Sequence, residues 1–198
     1  MTTAQRHPTT GIDTPLSDTP LTDDVTSSAA PDGNRDATLS PDSFKSIFRR
    51  HPAGVTVVTL AHGDRLFGFT ATSVISVSAD PPLLAFSVAG GSSSWSALAE
   101  ASSVVVNFLS AEQAELSARF ATSGIDRFGL GGWSLLATGE PVLHDTQHWI
   151  RARIVDRLAV GASFLVCLEA VEGGHGAETA PLVYHDRAYH SLSTDSAL

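Results

Sequence analysis

Hydroxyl side chains crowd one short, otherwise apolar segment of this sequence. It follows Gly68 and ends shortly before the double proline Pro81-Pro82. Hydroxyls, together with any unpaired backbone N–H groups, are good hydrogen-bond partners for a phosphate. An exposed strand face would use the same residues, because Thr is a good strand former. A phosphorylated ligand and an ordinary strand therefore both stay open here. The four hydroxyl residues are Thr70, Thr72, Ser73 and Ser76.

A second candidate segment, Gly-Gly-Ser-Ser-Ser-Trp, spans residues 90–95. Glycines allow a backbone to approach a ligand closely, and the N–H groups at the start of a helix attract anions. The alternative is a serine that merely caps an ordinary helix. The segment lies about 20 residues after the hydroxyl cluster, on the other side of one predicted strand. The pair makes a joint anion site more credible than either segment alone.

Two arginine–aromatic pairs come next, Arg119-Phe120 and Arg127-Phe128, the second directly after Asp126. A guanidinium beside an aromatic ring can cover a planar ligand or pair with a phosphate. The alternative is a helix whose Phe120 lies in the core while the arginines face solvent.

A polar cluster lies near the end of the sequence, between Tyr184 and His190, and contains two His, two Tyr, an Asp and an Arg. Such side chains can transfer protons or recognise a nicotinamide-type ring. On one continuous strand His185 and His190 would face opposite ways, so no metal pair and no metal site is predicted. The alternative is an edge hairpin with a polar turn.

Composition narrows the function class. The chain has 198 residues, 42% of them hydrophobic and 17% charged, which fits one domain with a proper core plus an extra segment. A net charge of −9 argues against nucleic acid as a partner. One cysteine excludes an internal disulfide. With no signal-type apolar region, no membrane-length apolar run, and no hydrolase or dinucleotide-fold signature, we expect a cytoplasmic protein that does not enter membranes.

Element patterning predicts three regions. Residues 1–38 lack aromatics and are rich in Thr, Asp and Pro, which predicts a disordered acidic tail. Residues 40–192 form the domain, and 193–198 a flexible C-terminus. Ser40-Pro41 starts a helix to about residue 50, and a hairpin joins strand 55–60 to one long strand 66–78. Short helices are predicted at 95–100 and 110–120, an irregular stretch at 121–140, and strands at 83–88, 103–109, 141–144, 149–157, 163–171, 182–184 and 188–192.

The ordered motifs of residues 40–192 resemble the flavin reductase-like, FMN-binding split-barrel family, the short-chain reductase components of two-component flavin monooxygenases. The motifs are Pro52-Ala53-Gly54-Val55-Thr56-Val57-Val58-Thr59, Gly68-Phe69-Thr70-Ala71-Thr72-Ser73, Pro81-Pro82-Leu83-Leu84, Ser94-Trp95, Val106-Asn107-Phe108-Leu109-Ser110, Arg119-Phe120 and Pro181-Leu182-Val183-Tyr184-His185-Asp186-Arg187.

This resemblance implies a mainly β fold, a split β-barrel with antiparallel, Greek-key-like strands and a few short flanking helices. It implies a homodimer with FMN or FAD at the subunit interface. NADH or NADPH would reduce the flavin, and the reduced flavin would pass to a partner flavin-dependent monooxygenase.

The resemblance also assigns site residues by position. The flavin ring and ribityl-phosphate would lie against Leu66, Phe67, Gly68, Phe69, Thr70, Thr72 and Ser73, with Gly68–Thr70 facing the ring and Thr72 with Ser73 the ribityl-phosphate. Ser87, Val88 and Ala89 would lie beneath the ring. Ser93 and Ser94 would bind phosphate, Asn107 would bound the pocket, and Arg119 with Phe120 would contact the phosphate or adenine end. His185, Asp186, Arg187 and Ala188 would meet the nicotinamide nucleotide.

The chain departs from the family at one position. Many members carry Gly-Asp-His near the nicotinamide, where this sequence has Gly161-Ala162-Ser163-Phe164. Ser163 and His185 would then take over part of the catalytic role, or nicotinamide binding differs. Hydride transfer depends on stacking of the two rings rather than on an obligate acid, so reduction stays compatible with the loss.

Two alternatives to a flavin reductase stay open. The first is a flavin-binding protein without reductase activity, such as a tight FMN carrier or an oxygenase-type member of the same fold. The missing histidine favours this alternative slightly. The second is a small binding barrel with no redox role, which requires the Thr-Ala-Thr-Ser and Ser-Ser-Trp segments to be coincidental.

Overall fold

The computed structural model describes residues 38–176, 178–193 and 195. The segment predicted as a disordered tail lies outside these residues except for residue 38, and only residues 193 and 195 of the predicted flexible C-terminus are among them. Helix α1 (Pro41–Arg49) begins as the sequence predicts, because the Ser40 hydroxyl accepts a hydrogen bond from the Ser43 N–H at 3.2 Å and proline occupies the first turn. None of its side chains is buried, and the rings of Phe44 and Phe48 lie 4.5 Å apart on one exposed face.

Strands dominate the described part of the chain. Short helices α2 and α3 flank them, with one turn of 3₁₀-helix (Ala111–Gln113) leading into α3. The capping box predicted at Ser110 and Gln113 is confirmed. The bounds are β1 Ala53–Gly54, β2 Thr56–His62, β3 Arg65–Ala71, β4 Ile75–Ala79, β5 Pro82–Ala89, α2 Trp95–Glu100, β6 Ser103–Phe108, α3 Ala114–Ala121, β7 Trp133–Leu135, β8 Pro141–Leu143, β9 His148–Val160, β10 Ser163–His175, β11 Leu182–His185 and β12 Ala188–Ser191.

Seven strands form one antiparallel sheet in the order β3-β2-β6-β9-β10-β5-β4. The predicted hairpin between β2 and β3 is confirmed, and it turns between His62 and Arg65. The sheet is strongly curled, so that its edge strand β3 also approaches β5. The rings of Phe69 on β3 and Phe86 on β5 meet edge to face, with centroids 5.8 Å apart. The mainly β, antiparallel fold with few short helices is as predicted.

The long strand predicted at residues 66–78 is wrong. It divides into β3 and β4, which lie at opposite ends of the sheet order. The chain leaves β3 after Ala71, and the Ser73 hydroxyl then bonds both the N–H and the carbonyl of Ser87 on β5, each at 3.0 Å. Hydroxyl and β-branched residues suit strand and turn alike, so their run hides the break between the two strands.

Two apolar clusters hold the sheet. The first lies inside the curl and includes the fully buried side chains Phe86, Leu98 and Val106. The second lies outside β2, where Val57 and Phe120 pack beneath α3 and the smaller sheets. Strand β2 is therefore covered on both faces, which explains its continuous apolar and β-branched sequence.

The remaining strands form a three-stranded sheet, β1-β11-β12, and the pair β7-β8. Strand β7 lies in the stretch predicted to be irregular. In the β11–β12 hairpin, His185 and His190 share one face with ring centroids 5.7 Å apart. The opposite orientation expected on one continuous strand does not apply, because the chain forms the edge hairpin given as the alternative and reverses between the two histidines. Among the described residues, no helix is long and apolar enough to cross a membrane.

A buried acid joins β6, β8 and β9. Glu140 is 3% exposed; its carboxylate accepts hydrogen bonds from the Ser103 and Thr138 hydroxyls and from the Arg151 Nε at 2.9 Å. Burial alone raises the pKa of Glu140, but these hydrogen bonds and the charge of Arg151 outweigh it and hold that pKa below its ordinary value.

We expect Glu140→Gln to lower the free energy of unfolding by about 1–3 kcal/mol at neutral pH, because Arg151 loses its charged partner. A carboxyl whose pKa is depressed in the folded state stabilises the fold above its unfolded pKa. That stability is lost as the pH falls through the lower, folded pKa. The difference in free energy of unfolding between the unmodified chain and Glu140→Gln, measured by urea unfolding, should therefore become smaller as the pH is lowered. A difference that does not depend on pH would contradict the assignment.

Candidate ligand-binding groove

Four adjoining depressions share lining residues and form one groove along β3. Its two largest sections hold about 540 and 640 Å³. The sections follow the strand in sequence order. The first section contains Arg65–Gly68, the next Phe69 and Thr70, and the last Thr72 and Ser73. From Leu66 to Ala71 the strand spans about 17 Å, so the groove is long enough for an extended ligand.

Because residue 68 is a glycine and has no side chain, α3 can pack close to β3 beside the groove. A Cβ built on Gly68 would lie 2.7 Å from Cε1 of Phe120, a ring that is 1% exposed. Any larger residue at this position would displace the ring from the core. The glycine of the Gly-Phe-Thr motif therefore provides a close approach between β3 and α3.

Part of the hydroxyl cluster holds the fold together. The Thr70 hydroxyl donates to the Ser117 carbonyl at 2.6 Å, which ties β3 to α3. Ser73 is bonded to the Ser87 backbone as described above. Thr72 is exposed in the groove, whereas Ser76 is exposed on β4. Of these hydroxyls, Thr72 is the one whose exposure suits a ligand best.

Arg127 reaches the groove from the loop after α3. Its guanidinium donates to the Gly68 carbonyl at 2.6 Å, to the Ser94 hydroxyl at 3.4 Å and twice to the Thr122 carbonyl. Burial lowers the pKa of this guanidinium, yet an arginine stays charged at neutral pH. It is the one charged side chain among the residues that line the section with Thr70, Ser87 and Ser93.

Ser93 and Ser94 differ in their exposure to solvent. Ser93 is exposed in the groove, at the border of two sections. Ser94 is 1% exposed, and its hydroxyl lies 3.5 Å from the Gly68 carbonyl rather than capping α2. This contact brings residue 94 against β3, so the two segments lie side by side, and their joint site stays a prediction.

Strand β5 supplies the wall opposite β3. Ser87 and Ala89 are exposed in the groove, and Val88 is 6% exposed between them. Leu66 and Phe67 are half-buried at the first section, while Phe69 packs its ring into the core. These positions are among those that the family resemblance assigns to the flavin.

Three predicted residues have other surroundings. Asn107 is fully buried; its amide donates to Val57 and Thr59, and its carbonyl oxygen accepts from the Leu143 N–H. Arg119 lies over the Phe120 ring at 5.9 Å, and its Nε is buried without a hydrogen-bond partner among the described residues. Phe120 is a core residue beneath Gly68. Their contacts with a flavin stay predictions.

The segment 185–188 forms the turn of the β11–β12 hairpin. Asp186 and Arg187 have φ values of 46° and 67°, and Arg187 lines the last section of the groove. His185 is half-buried on the hairpin face with His190. Ser163 begins β10, where it pairs with Ala89 of β5. The catalytic roles of His185 and Ser163 stay predictions.

Backbone groups along β3 add donors that the side-chain pattern does not reveal. The Gly68 carbonyl points to Arg127 and thus away from β2. In an antiparallel strand the N–H and C=O of one residue share an edge, and this edge recurs every second residue. The N–H groups of Leu66, Gly68 and Thr70 therefore face the free edge of the sheet.

The donor set fits a phosphorylated, planar ligand. It combines hydroxyls, free-edge N–H groups and a guanidinium with an apolar floor. Sequence reasoning did not assign Lys45, Arg49 or Arg127 to the site. Arg127 was visible as part of an arginine–aromatic pair. Nothing local marked Lys45 and Arg49, because α1 comes close to the groove only through tertiary packing.

The Flavin reductase like domain family matches residues 48–193, and the chain belongs to this family. An NADH:FMN oxidoreductase from Rhodococcus qingshengii is 45% identical over 153 residues, 74% of this chain and 79% of that protein. The reductase subunit HsaB of a flavin-dependent monooxygenase from Mycobacterium tuberculosis is 27% identical over 161 residues, 80% and 86% of the two chains. A flavin reductase domain protein from Arthrobacter sp. FB24, known from its crystal structure, is 39% identical with a TM-score of 0.74 over 77% of this chain and 95% of that one.

We expect Gly68→Ala to lower the free energy of unfolding by about 1–3 kcal/mol, because the added methyl group overlaps the Phe120 ring. Gly54→Ala is the matched control, since a Cβ at Gly54 has no neighbour within 4 Å. Urea unfolding measures both. Equal stability of the two variants would contradict the close packing, and Phe120→Leu in the Gly68→Ala background should recover part of the loss.

Proposed function

We propose that this chain is an NAD(P)H-dependent flavin reductase. The observation that carries the proposal is the hydroxyl-lined groove along β3, which has cationic side chains in both its first and its last section. The family and the 45% identity to an NADH:FMN oxidoreductase support it. A bound flavin would supply the redox chemistry, accepting a hydride from the nicotinamide stacked on its ring. The chain's part is to bind both molecules and align them.

The resemblance assigns phosphate both to Thr72 with Ser73 and to Ser93 with Ser94. Ser94 lies against Gly68, which comes four positions, or about 13 Å of extended chain, before Thr72. One flavin phosphate cannot occupy both. We place it near Ser93 and Arg127, because Arg127 supplies the positive charge there. The free-edge N–H groups of Gly68 and Thr70 then face the ring, where they would stabilise negative charge on the reduced flavin. Thr72 and Ser73 would then lie near the place where the flavin ring and the nicotinamide ring stack.

A second copy of the chain would complete the groove. Leu165 of β10 pairs with Ser87 of β5 on one side and with Leu158 of β9 on the other. Ser87, which lines the groove, and Leu158 therefore lie on the same face of the sheet. Leu158 is 46% exposed and Val160 60%. An apolar face of this kind, continuous with the site, favours the homodimer that the resemblance implies.

The recipient of the reduced flavin would be a partner flavin-dependent monooxygenase, as the name of the relative HsaB indicates for that protein. We further propose a cytoplasmic location, where reduced nicotinamides are abundant, and a domain spanning residues 40–192 apart from the acidic segment before it. Co-elution of the chain with such an oxygenase, with and without residues 1–38, tests whether that segment takes part.

The second candidate function is flavin binding without reduction. Ser163 stands where many members have histidine, and His185 is not among the residues that line the groove. A protein that retains flavin through gel filtration but does not oxidise NADH or NADPH would establish this candidate. It would also overturn the reductase.

We expect the full chain to oxidise NADH or NADPH only when FMN, FAD or riboflavin is present, as followed by the absorbance of the reduced nicotinamide. Arg127→Ala should raise the dissociation constant for FMN about 10- to 100-fold, the loss of one charge-assisted hydrogen bond. Riboflavin, which has no phosphate, should bind both proteins alike in a fluorescence titration.

Arg153→Ala is the matched control, because Arg153 pairs with Glu169 on β9 and β10 outside the groove. An equal loss of FMN and riboflavin binding in Arg127→Ala would contradict the phosphate assignment. No flavin-dependent oxidation with either nicotinamide would refute the reductase itself.

We expect Leu158→Glu to convert the dimer to a monomer in light scattering and to weaken flavin binding at least 10-fold, since a buried charge at the interface is strongly unfavourable. Leu135→Glu on β7 is the control, at 55% exposure and outside that face. A Leu158→Glu protein that stays dimeric would rule out this surface.

A further inference from the structure

The last section of the groove is basic, in a chain whose net charge is −9. Lys45, Arg49, His51 and Arg187 line it together with Thr72, Ser73 and Ser87. No carboxylate is among its lining residues. Negative charge elsewhere on the chain makes such a concentration of cations a specific feature rather than a consequence of composition.

Two elements that are far apart in sequence bring these cations together. Lys45 and Arg49 stand four residues apart on α1, so they share one side of the helix. The Asp186 N–H donates to the Arg49 carbonyl at 2.9 Å, which fixes the β11–β12 turn against the helix end. Arg187 is thereby held beside α1.

The turn adopts an unfavourable backbone conformation at both central residues. Asp186 and Arg187 have positive φ values, although neither is glycine. Hairpin turns of two residues favour Asn-Gly at these positions. Strained residues persist where the surrounding structure holds them and often occur at functional sites.

The charges of this cluster are not neutralised within the described residues. Lys45 has one exposed contact with Asp42 at 4.0 Å, which is worth little in water. Arg49 and Arg187 form no ion pair there. Three cations converging on one concave section suit a ligand with two or more negative charges, such as a pyrophosphate.

We propose that Lys45 and Arg49 bind the phosphates of the hydride donor, a pyridine dinucleotide, together with Arg187, which the family resemblance already assigns to the nicotinamide nucleotide. The inference rests on the proposed function. If the flavin phosphate lies near Arg127, the flavin ring extends along β3 toward Thr72. A second ligand whose ring stacks on the flavin near Thr72 would then lie next to the section of the groove that these three cations line.

The test measures binding of ADP-ribose, which carries the dinucleotide's phosphates without the nicotinamide, to the flavin-free full chain by calorimetry. Arg49→Ala and Arg187→Asn should each weaken it about 10-fold, and the affinity of the unmodified chain should fall with added salt. Asparagine tolerates the positive φ of position 187. Arg50→Ala is the matched control, because Arg50 follows α1 but does not line the groove.

Steady-state kinetics give a second readout. Both variants should raise KM for NADH about 10-fold, yet leave KM for 1-benzyl-1,4-dihydronicotinamide unchanged, since that donor has no phosphate. Unchanged ADP-ribose binding overturns the proposal, and so does an equal rise in KM for both donors. Weaker FMN binding with unchanged ADP-ribose binding overturns it as well, because the cluster would then hold the flavin phosphate.

Failure of the proposed function gives a different result. A chain that oxidises neither nicotinamide but binds ADP-ribose through Arg49 and Arg187 would refute the reductase and retain the phosphate subsite.

Discussion

The backbone of Gly68 lies against the ring of Phe120, and the geometry of the groove depends on that contact. It allows α3 to sit directly on the outer face of β3, where the Thr70 hydroxyl then reaches the Ser117 carbonyl. The loop after α3 consequently brings Arg127 to the edge of the strand. Without the close approach, the free edge of β3 would face solvent with no cation beside it.

The same edge explains how one short segment serves both folding and binding. An edge strand leaves alternate N–H groups unpaired, and a folded protein must cover or use them. Here the Arg127 guanidinium covers part of this edge at the Gly68 carbonyl, while the Ser73 hydroxyl pairs with the backbone of Ser87 on β5. The uncovered part is the groove, so binding occupies a place that the sheet leaves incomplete.

Much of the fold was predictable because its signals are local. Ser40-Pro41 marks the start of α1, the Ser110–Gln113 capping box precedes α3, and the β-branched run of β2 predicts a buried strand. The break between β3 and β4 was missed, because the chain departs only where the Ser73 side chain meets β5. The hairpin that gives His185 and His190 a shared face was predicted only as an alternative, since residue spacing alone does not show that the chain reverses between them.

Local sequence signals are sufficient for the class of the site: ordered motifs specify the family, and hydroxyls and glycines specify a polar strand that other groups approach closely. Only tertiary packing establishes which of those residues hold the fold together and which line the groove. It placed Asn107 within the buried network of β2, β6 and β8, and it brought Lys45 and Arg49 to the groove from a helix with no local sign of function. The reason is physical: motifs encode chemistry and local geometry, whereas charge converges in a groove only when distant elements pack.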